Sequence, residues 1–85
     1  MRYVLFVKDA CPFCVKAEEL LNDKGLDFKS VSFEPEQEGL LQEMKDAYHW
    51  QTVPMVFQVS APNQPGMPEI KFIGGYTDLI KFLDE

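Results

Sequence analysis

The feature that most constrains this chain is a junction near its start. Residues 2–7 form a nearly continuous apolar run of β-forming residues, and four positions later Cys11-Pro12-Phe13-Cys14 opens a segment of helical periodicity. Such a run suits a strand buried on both faces. Pro12 sits where a helix can begin, because the N–H that proline lacks has no partner in a first turn anyway. Across residues 13–24 the apolar positions Phe13, Cys14, Ala17, Leu20 and Leu21 follow one helical face, with Lys16, Glu18, Glu19 and Asn22 mostly on the other. Gly25 is placed to end the helix as its C-cap residue. A strand with two apolar faces needs a sheet with helices packed on it, and the cysteine pair then falls at a strand-to-helix turn.

The rest of the chain extends this plan. Residues 27–33 read as a second strand through Phe28, Val31 and Phe33. After a polar stretch, a second helix is expected from about Pro35 to about Tyr48, since Leu40, Leu41, Met44, Ala47 and Tyr48 recur at helical spacing. Residues 53–59 read as a third strand entered through Pro54, and residues 60–68 have the composition of a loop. Residues 69–73 read as a short fourth strand and Gly74-Gly75 as a turn. Thr77 is the expected N-cap of a last helix with Leu79, Ile80, Phe82 and Leu83 on its apolar face. The order β-α-β-α-β-β-α predicts an α/β fold. Its first unit is a right-handed crossover between parallel strands, and its last two strands form an antiparallel hairpin. At 85 residues the chain has room for one domain, residues 1–85, without repeat or linker.

Composition narrows the class of partner. A hydrophobic content of 46% is enough for a packed core, which argues against disorder. Fourteen acidic against 8 basic residues give a net charge of −6, a field that repels phosphate backbones and makes nucleic acid a poor partner. No apolar run approaches the ~20 residues needed to span a bilayer. Residues 2–7 run straight into Lys8 and Asp9 without a small-residue cleavage site, so they read as a strand and not a signal peptide. Two cysteines are too few for a secreted disulfide scaffold, which places the expected home of the chain in a reducing compartment, the cytoplasm. The acidic set Glu34, Glu36, Glu38 and Glu43 reads as a solvated face, and Met44, Met55 and Met67 as packing residues. Tyr48, His49 and Trp50 read as core or rim packing, with an aromatic lid as the alternative.

The Cys-x-x-Cys spacing carries the chemistry. A thiol must lose its proton before it can attack a disulfide. Cys11, just before a helix, would lie near unpaired backbone N–H groups and the positive end of the helix dipole, both of which favour the thiolate. Lys8, three residues upstream, adds positive charge. Cys14 lies one turn further in, where it can close a disulfide onto Cys11 and should be the more buried of the two. Inert burial and a zinc half-site are the competing readings. Zinc prefers four ligands, and here there is one pair with the only histidine, His49, far along the chain. The spacing therefore predicts thiol–disulfide exchange with no metal.

Three segments together resemble the glutaredoxins, the glutathione-using branch of the thioredoxin fold: residues 8–14 ending in Cys-Pro-Phe-Cys, Thr52-Val53-Pro54, and residues 74–79, Gly-Gly-Tyr-Thr-Asp-Leu. The resemblance covers essentially the whole chain and implies a thioredoxin-like, four-stranded mixed sheet. It also implies catalysis by Cys11 and Cys14, and a glutathione site made of Lys8, Phe13, Thr52, Val53, Pro54, Gly75, Tyr76, Thr77 and Asp78. In that family the proline matching Pro54 is cis and leaves the Val53 backbone open to pair with the ligand like an added strand. The N–H groups near Thr77 and Asp78 would seat the γ-glutamyl carboxylate, the Asp78 carboxylate would meet the ligand's amino group, and Lys8 would receive the glycine carboxylate. Phe13 stands where the family often has tyrosine, Gln51 where many members have a basic residue, and Met55 where glutamine is frequent. Thr77 replaces an aspartate of some relatives, and the loop at residues 60–68 is longer than the usual tight turn. Glutathione as co-substrate, disulfide-containing proteins as partners (ribonucleotide reductase among them) and a monomeric state follow from the resemblance. Recharging by thioredoxin reductase and the bridging of an iron–sulfur cluster are its alternatives.

Overall fold

The computed structural model describes residues 2–60 and 69–84. Its elements are β1 (Arg2–Val7), α1 (Pro12–Asp23), β2 (Phe28–Ser32), a single 3-10 turn (Pro35–Gln37), α2 (Glu38–Ala47), β3 (Met55–Ser60), β4 (Glu69–Gly74) and α3 (Tyr76–Asp84). They form one sheet in the order β2-β1-β3-β4. β1 pairs parallel with β2 and antiparallel with β3, and β3 pairs antiparallel with β4, so the sheet is mixed as expected. The long loop expected at residues 60–68 lies, beyond Ser60, outside the described residues, as does Met67.

Alternation along β1 divides the core. Tyr3, Leu5 and Val7 point to one face, where they join Cys14, Ala17 and Leu21 of α1, Leu79 of α3 and Val56 of β3. Val4 and Phe6 point to the other, where Phe33, Leu41, Met55 and Phe57 form a second cluster beneath α2. This period of two is the side-chain geometry of any strand, and burial on both sides is why the sequence of β1 shows no polar face. Helices therefore cover both faces: α1 and α3 on one, α2 on the other.

Several element boundaries differ from the sequence reading. β2 is shorter than 27–33 by a residue at each end. The second helix does not begin at Pro35: the proline opens a 3-10 turn, closed by the Gln37 side chain accepting the Glu34 N–H at 3.0 Å, and α2 proper starts at Glu38. β3 begins at Met55 and not at Val53, because Pro54 has no N–H to give a ladder. Gly74 belongs to β4 and α3 starts at Tyr76, so Thr77 lies inside the first turn and is not its N-cap. Gly75 takes that place: its carbonyl accepts the N–H of Leu79 at 2.9 Å, and its own N–H donates to Asp78 Oδ2 at 3.1 Å.

Candidate active site

Cys11 caps α1. Its backbone is extended (φ −111, ψ 98), and its Sγ accepts the Cys14 backbone N–H at 3.2 Å, satisfying one of the donors a helix start leaves unpaired. Pro12 follows at the first helical position. The chain reaches this cap from β1 through Ala10, which turns in the left-handed region at φ 55. Cys11 and Cys14 are joined in a disulfide, with Cα atoms 5.2 Å apart. The two sulfurs have unequal surroundings. Cys14 is 2% exposed and belongs to the core beneath α1, whereas Cys11 is partly exposed at its edge.

Opposite the cysteines lies the turn into β3. Cys11 Sγ is 3.9 Å from the Val53 carbonyl oxygen, and the cis Val53–Pro54 bond follows directly. Gly75 packs behind this turn: a Cβ built on it would stand 3.7 Å from the Pro54 carbonyl oxygen and 3.4 Å from Trp50 Cζ2. A groove of about 290 Å³ runs along the seam, lined by Phe13, Trp50, Thr52, Val53, Pro54, Gly75, Tyr76, Thr77 and Asp78. Segments far apart in sequence thus meet in one groove, and every ligand-contact residue implied by the resemblance lines it except Lys8.

Lys8 lies elsewhere. It lines a separate cavity of about 560 Å³ together with Cys11, Pro12 and Cys14, and its ammonium donates to Glu38 Oε1 at 2.8 Å. The expected free cation beside Cys11 is thus an ion-paired one. Pairing with Lys8 holds the Glu38 carboxyl below the ordinary carboxylate range, first through the hydrogen bond and then through the positive charge itself. Glu38 is accordingly not just part of a solvated acidic face.

Trp50 is the groove residue that the sequence reading left among packing residues. Its ring packs edge-on against Phe72 at 5.3 Å, within the chain of rings that includes Tyr48 and Phe57, while its far edge walls the groove beside Gly75. Its indole Nε1 is buried without a hydrogen-bond partner among the described residues. The one available signal was its position two residues before Thr52. Phe13 is 52% exposed at the groove mouth, its ring 6.1 Å from that of Tyr76 and with Lys16 Nζ 5.1 Å from its centroid. His49 lines neither the groove nor the cavity at the cysteines: it turns the chain out of α2 at φ 54.

Residues 3–60 match the family model named Glutaredoxin. Glutaredoxin 1 of Escherichia coli (strain K12) is 30% identical over 91 residues, an alignment covering 100% of this chain and 95% of that protein. The chain belongs to the glutaredoxin family. Glutaredoxins are thiol–disulfide oxidoreductases that use glutathione as a co-substrate, and in this member the two cysteines of Cys-Pro-Phe-Cys are joined in a disulfide. The hybrid peroxiredoxin hyPrx5 of Haemophilus influenzae is 35% identical over 78 residues, which is 92% of this glutaredoxin-family chain but 27% of that longer protein. Among solved structures, the dithiolic glutaredoxin 2-C-Grx1 of Trypanosoma brucei brucei superposes with a TM-score of 0.70 at 31% identity, covering 96% of this chain and 76% of that one. The thioredoxin-like strand order and helix placement are shared with these glutaredoxins. No helix among the described residues is long and apolar enough to cross a membrane.

Proposed function

We propose that this chain is a glutathione-dependent thiol–disulfide oxidoreductase that reduces protein disulfides and glutathione mixed disulfides. In its reduced form Cys11 attacks one sulfur of a substrate disulfide. The substrate S–S bond breaks, a mixed disulfide to Cys11 forms, and the leaving sulfur takes up a proton. On a protein substrate, Cys14 then loses its proton and attacks Cys11 Sγ, releasing the second substrate thiol and closing the Cys11–Cys14 disulfide. Two glutathione molecules return the pair to dithiol, becoming glutathione disulfide, so two electrons pass from glutathione to substrate. The N-terminal end of α1 and the Cys14 N–H aimed at Cys11 Sγ support Cys11 as the attacking thiolate. The burial of Cys14 supports it as the resolving thiol.

The observation that carries the glutathione reading is the convergence of Thr52-Val53-Pro54 and residues 75–78 on one groove beside Cys11. In this reading the exposed backbone at Val53 pairs with the cysteinyl part of the ligand. The start of α3 receives its γ-glutamyl carboxylate, Asp78 faces its amino group, and the flat faces of Phe13 and Tyr76 flank the mixed disulfide. Cytoplasmic location, a monomeric working form and ribonucleotide reductase as one disulfide substrate belong to the same reading.

Turnover of a small glutathione mixed disulfide tests it, measured first with glutathione and glutathione reductase and then with thioredoxin reductase in their place. Activity in the first system is expected. Activity confined to the second would sink the proposal and make the chain a thioredoxin-reductase-linked redoxin.

A further inference from the structure

We propose that Glu38 is a specificity-determining residue: its carboxylate occupies Lys8, and a ligand carboxylate must displace it before it can use that cation. This rests on the glutathione reading above, and it concerns which thiols and disulfides reach Cys11 most readily.

In the cavity that Lys8 shares with Cys11 and Cys14, the other charged lining residues are Asp9 and Glu18, so among the described residues Lys8 is the one cation lining that approach. Among the described residues, the groove beside Val53 is lined by one charged side chain, that of Asp78, which is an anion. Lys16 stands over the Phe13 ring at the groove mouth, so Lys8 is the cation an anionic ligand meets on the cysteine side, and Gln51 beside Thr52 is neutral.

The fold then spends that cation on Glu38. Glu38 is the first residue of α2, delivered by the 3-10 turn at Pro35–Gln37, and its Oε1 meets Lys8 Nζ at 2.8 Å across 30 residues of sequence. Its place in the first turn of a helix favours its ionised form, as does Lys8 itself. The side chains are 34% and 63% exposed, so the pair is weak, screened by salt and open to exchange. An exposed pair of this kind is a competitor and not a lock. A ligand that brings a carboxylate must break it, while an uncharged thiol has no need to. Discrimination of this sort is a difference between two affinities, set by what the protein makes one ligand give up.

The test uses the full chain in its disulfide form and follows reduction of Cys11–Cys14 by the fluorescence of Trp50, the only tryptophan. Second-order rate constants are measured for glutathione and for 2-mercaptoethanol, which carries no carboxylate. In Glu38→Gln the glutathione constant should rise about two- to five-fold at low ionic strength, the range an exposed ion pair spans. The 2-mercaptoethanol constant, whose attacking thiolate brings no carboxylate, should rise by less, and the glutathione gain should vanish at high salt. Lys8→Gln should lower the glutathione constant, and the double variant should match Lys8→Gln alone. An equal rise for both thiols would mean that Glu38 acts on the charge environment of the disulfide, and would overturn the inference; so would no rise. If Lys8→Gln leaves the glutathione constant unchanged, Lys8 receives no ligand carboxylate and the inference fails while glutathione-driven turnover stands. Absence of glutathione-driven turnover in the unaltered protein overturns the functional reading itself, and this inference with it.

Discussion

Gly74 ends β4 at φ 128, and a Cβ built on it would stand 2.6 Å from Asp78 Oδ2 and 2.8 Å from Asp78 Cγ. Two requirements therefore meet at one residue: a backbone region that side chains rarely adopt, and room for the carboxylate that caps α3 through Gly75. Gly74→Ala is expected to cost about 1–3 kcal/mol from the backbone alone, with the collision added. The drop should register in the midpoint of a urea unfolding curve. Cys11 and Cys14 differ by environment in the same way. Cys11→Ser should abolish activity on every disulfide substrate. Cys14→Ser should keep turnover of glutathione mixed disulfides, which needs one thiol, and lose reduction of disulfides within a protein. Retained activity in Cys11→Ser would reverse the assignment of the attacking sulfur.

At the scale of elements, two helices end in the same way with different residues. After α1, Gly25 turns left-handed at φ 67, its N–H donates to the Asn22 carbonyl at 3.0 Å, and the Leu26 N–H donates to the Leu21 carbonyl at 3.0 Å. After α2, His49 does the same at φ 54, with the N–H groups of His49 and Trp50 donating to the carbonyls of Asp46 and Lys45 at 3.2 and 2.8 Å. Both are Schellman endings, for which glycine is the favoured residue. Gly25→Ala meets no atom within 4 Å, so its expected loss of roughly 1–2 kcal/mol is purely conformational. His49→Gly should raise stability by something under about 1 kcal/mol, since relief of the left-handed backbone is partly offset by a freer unfolded chain. Thermal unfolding of the two variants should move in opposite directions. α2 itself is held to the sheet by one fully buried side chain, Leu41, and Leu41→Ala should cost about 2–5 kcal/mol.

Across the whole molecule, the Lys8–Glu38 pair ties the end of β1 to the start of α2. Because Lys8 lowers the Glu38 pKa below its ordinary 4.5, the folded state holds this carboxylate ionised more firmly than the unfolded chain does. Its contribution to stability is complete above the unfolded value and is lost as pH falls through the lower, folded one. Unfolding midpoints measured from neutral pH down to about pH 3 should therefore fall more steeply in the natural chain than in Lys8→Gln, with the difference confined to the acidic end and reduced by salt. Parallel curves for the two proteins would show that the pair contributes nothing in solution.

The sequence by itself determined the class of fold and the chemistry. A doubly apolar strand, helical periodicity from Pro12 and the Cys-x-x-Cys spacing are local signals, set by side-chain period and backbone propensity within a dozen residues. Thr52-Val53-Pro54 and the Gly-Gly-Tyr-Thr-Asp-Leu segment were legible as motifs for the same reason, while their meeting in one site was implied only by the family resemblance and not by local signals. What tertiary structure alone decided were the contacts between residues far apart in the chain. These include the wall that Trp50 builds beside Gly75, the transfer of the α3 cap from Thr77 to Gly75 with Asp78, and the capture of Lys8 by Glu38. Each depends on which side chains the crossing of strand and helix brings within about 3–4 Å, and no local propensity encodes such a distance. The place of Cys11 at the start of a helix was legible in the sequence and is where the structure puts it, but the charge that surrounds it was not.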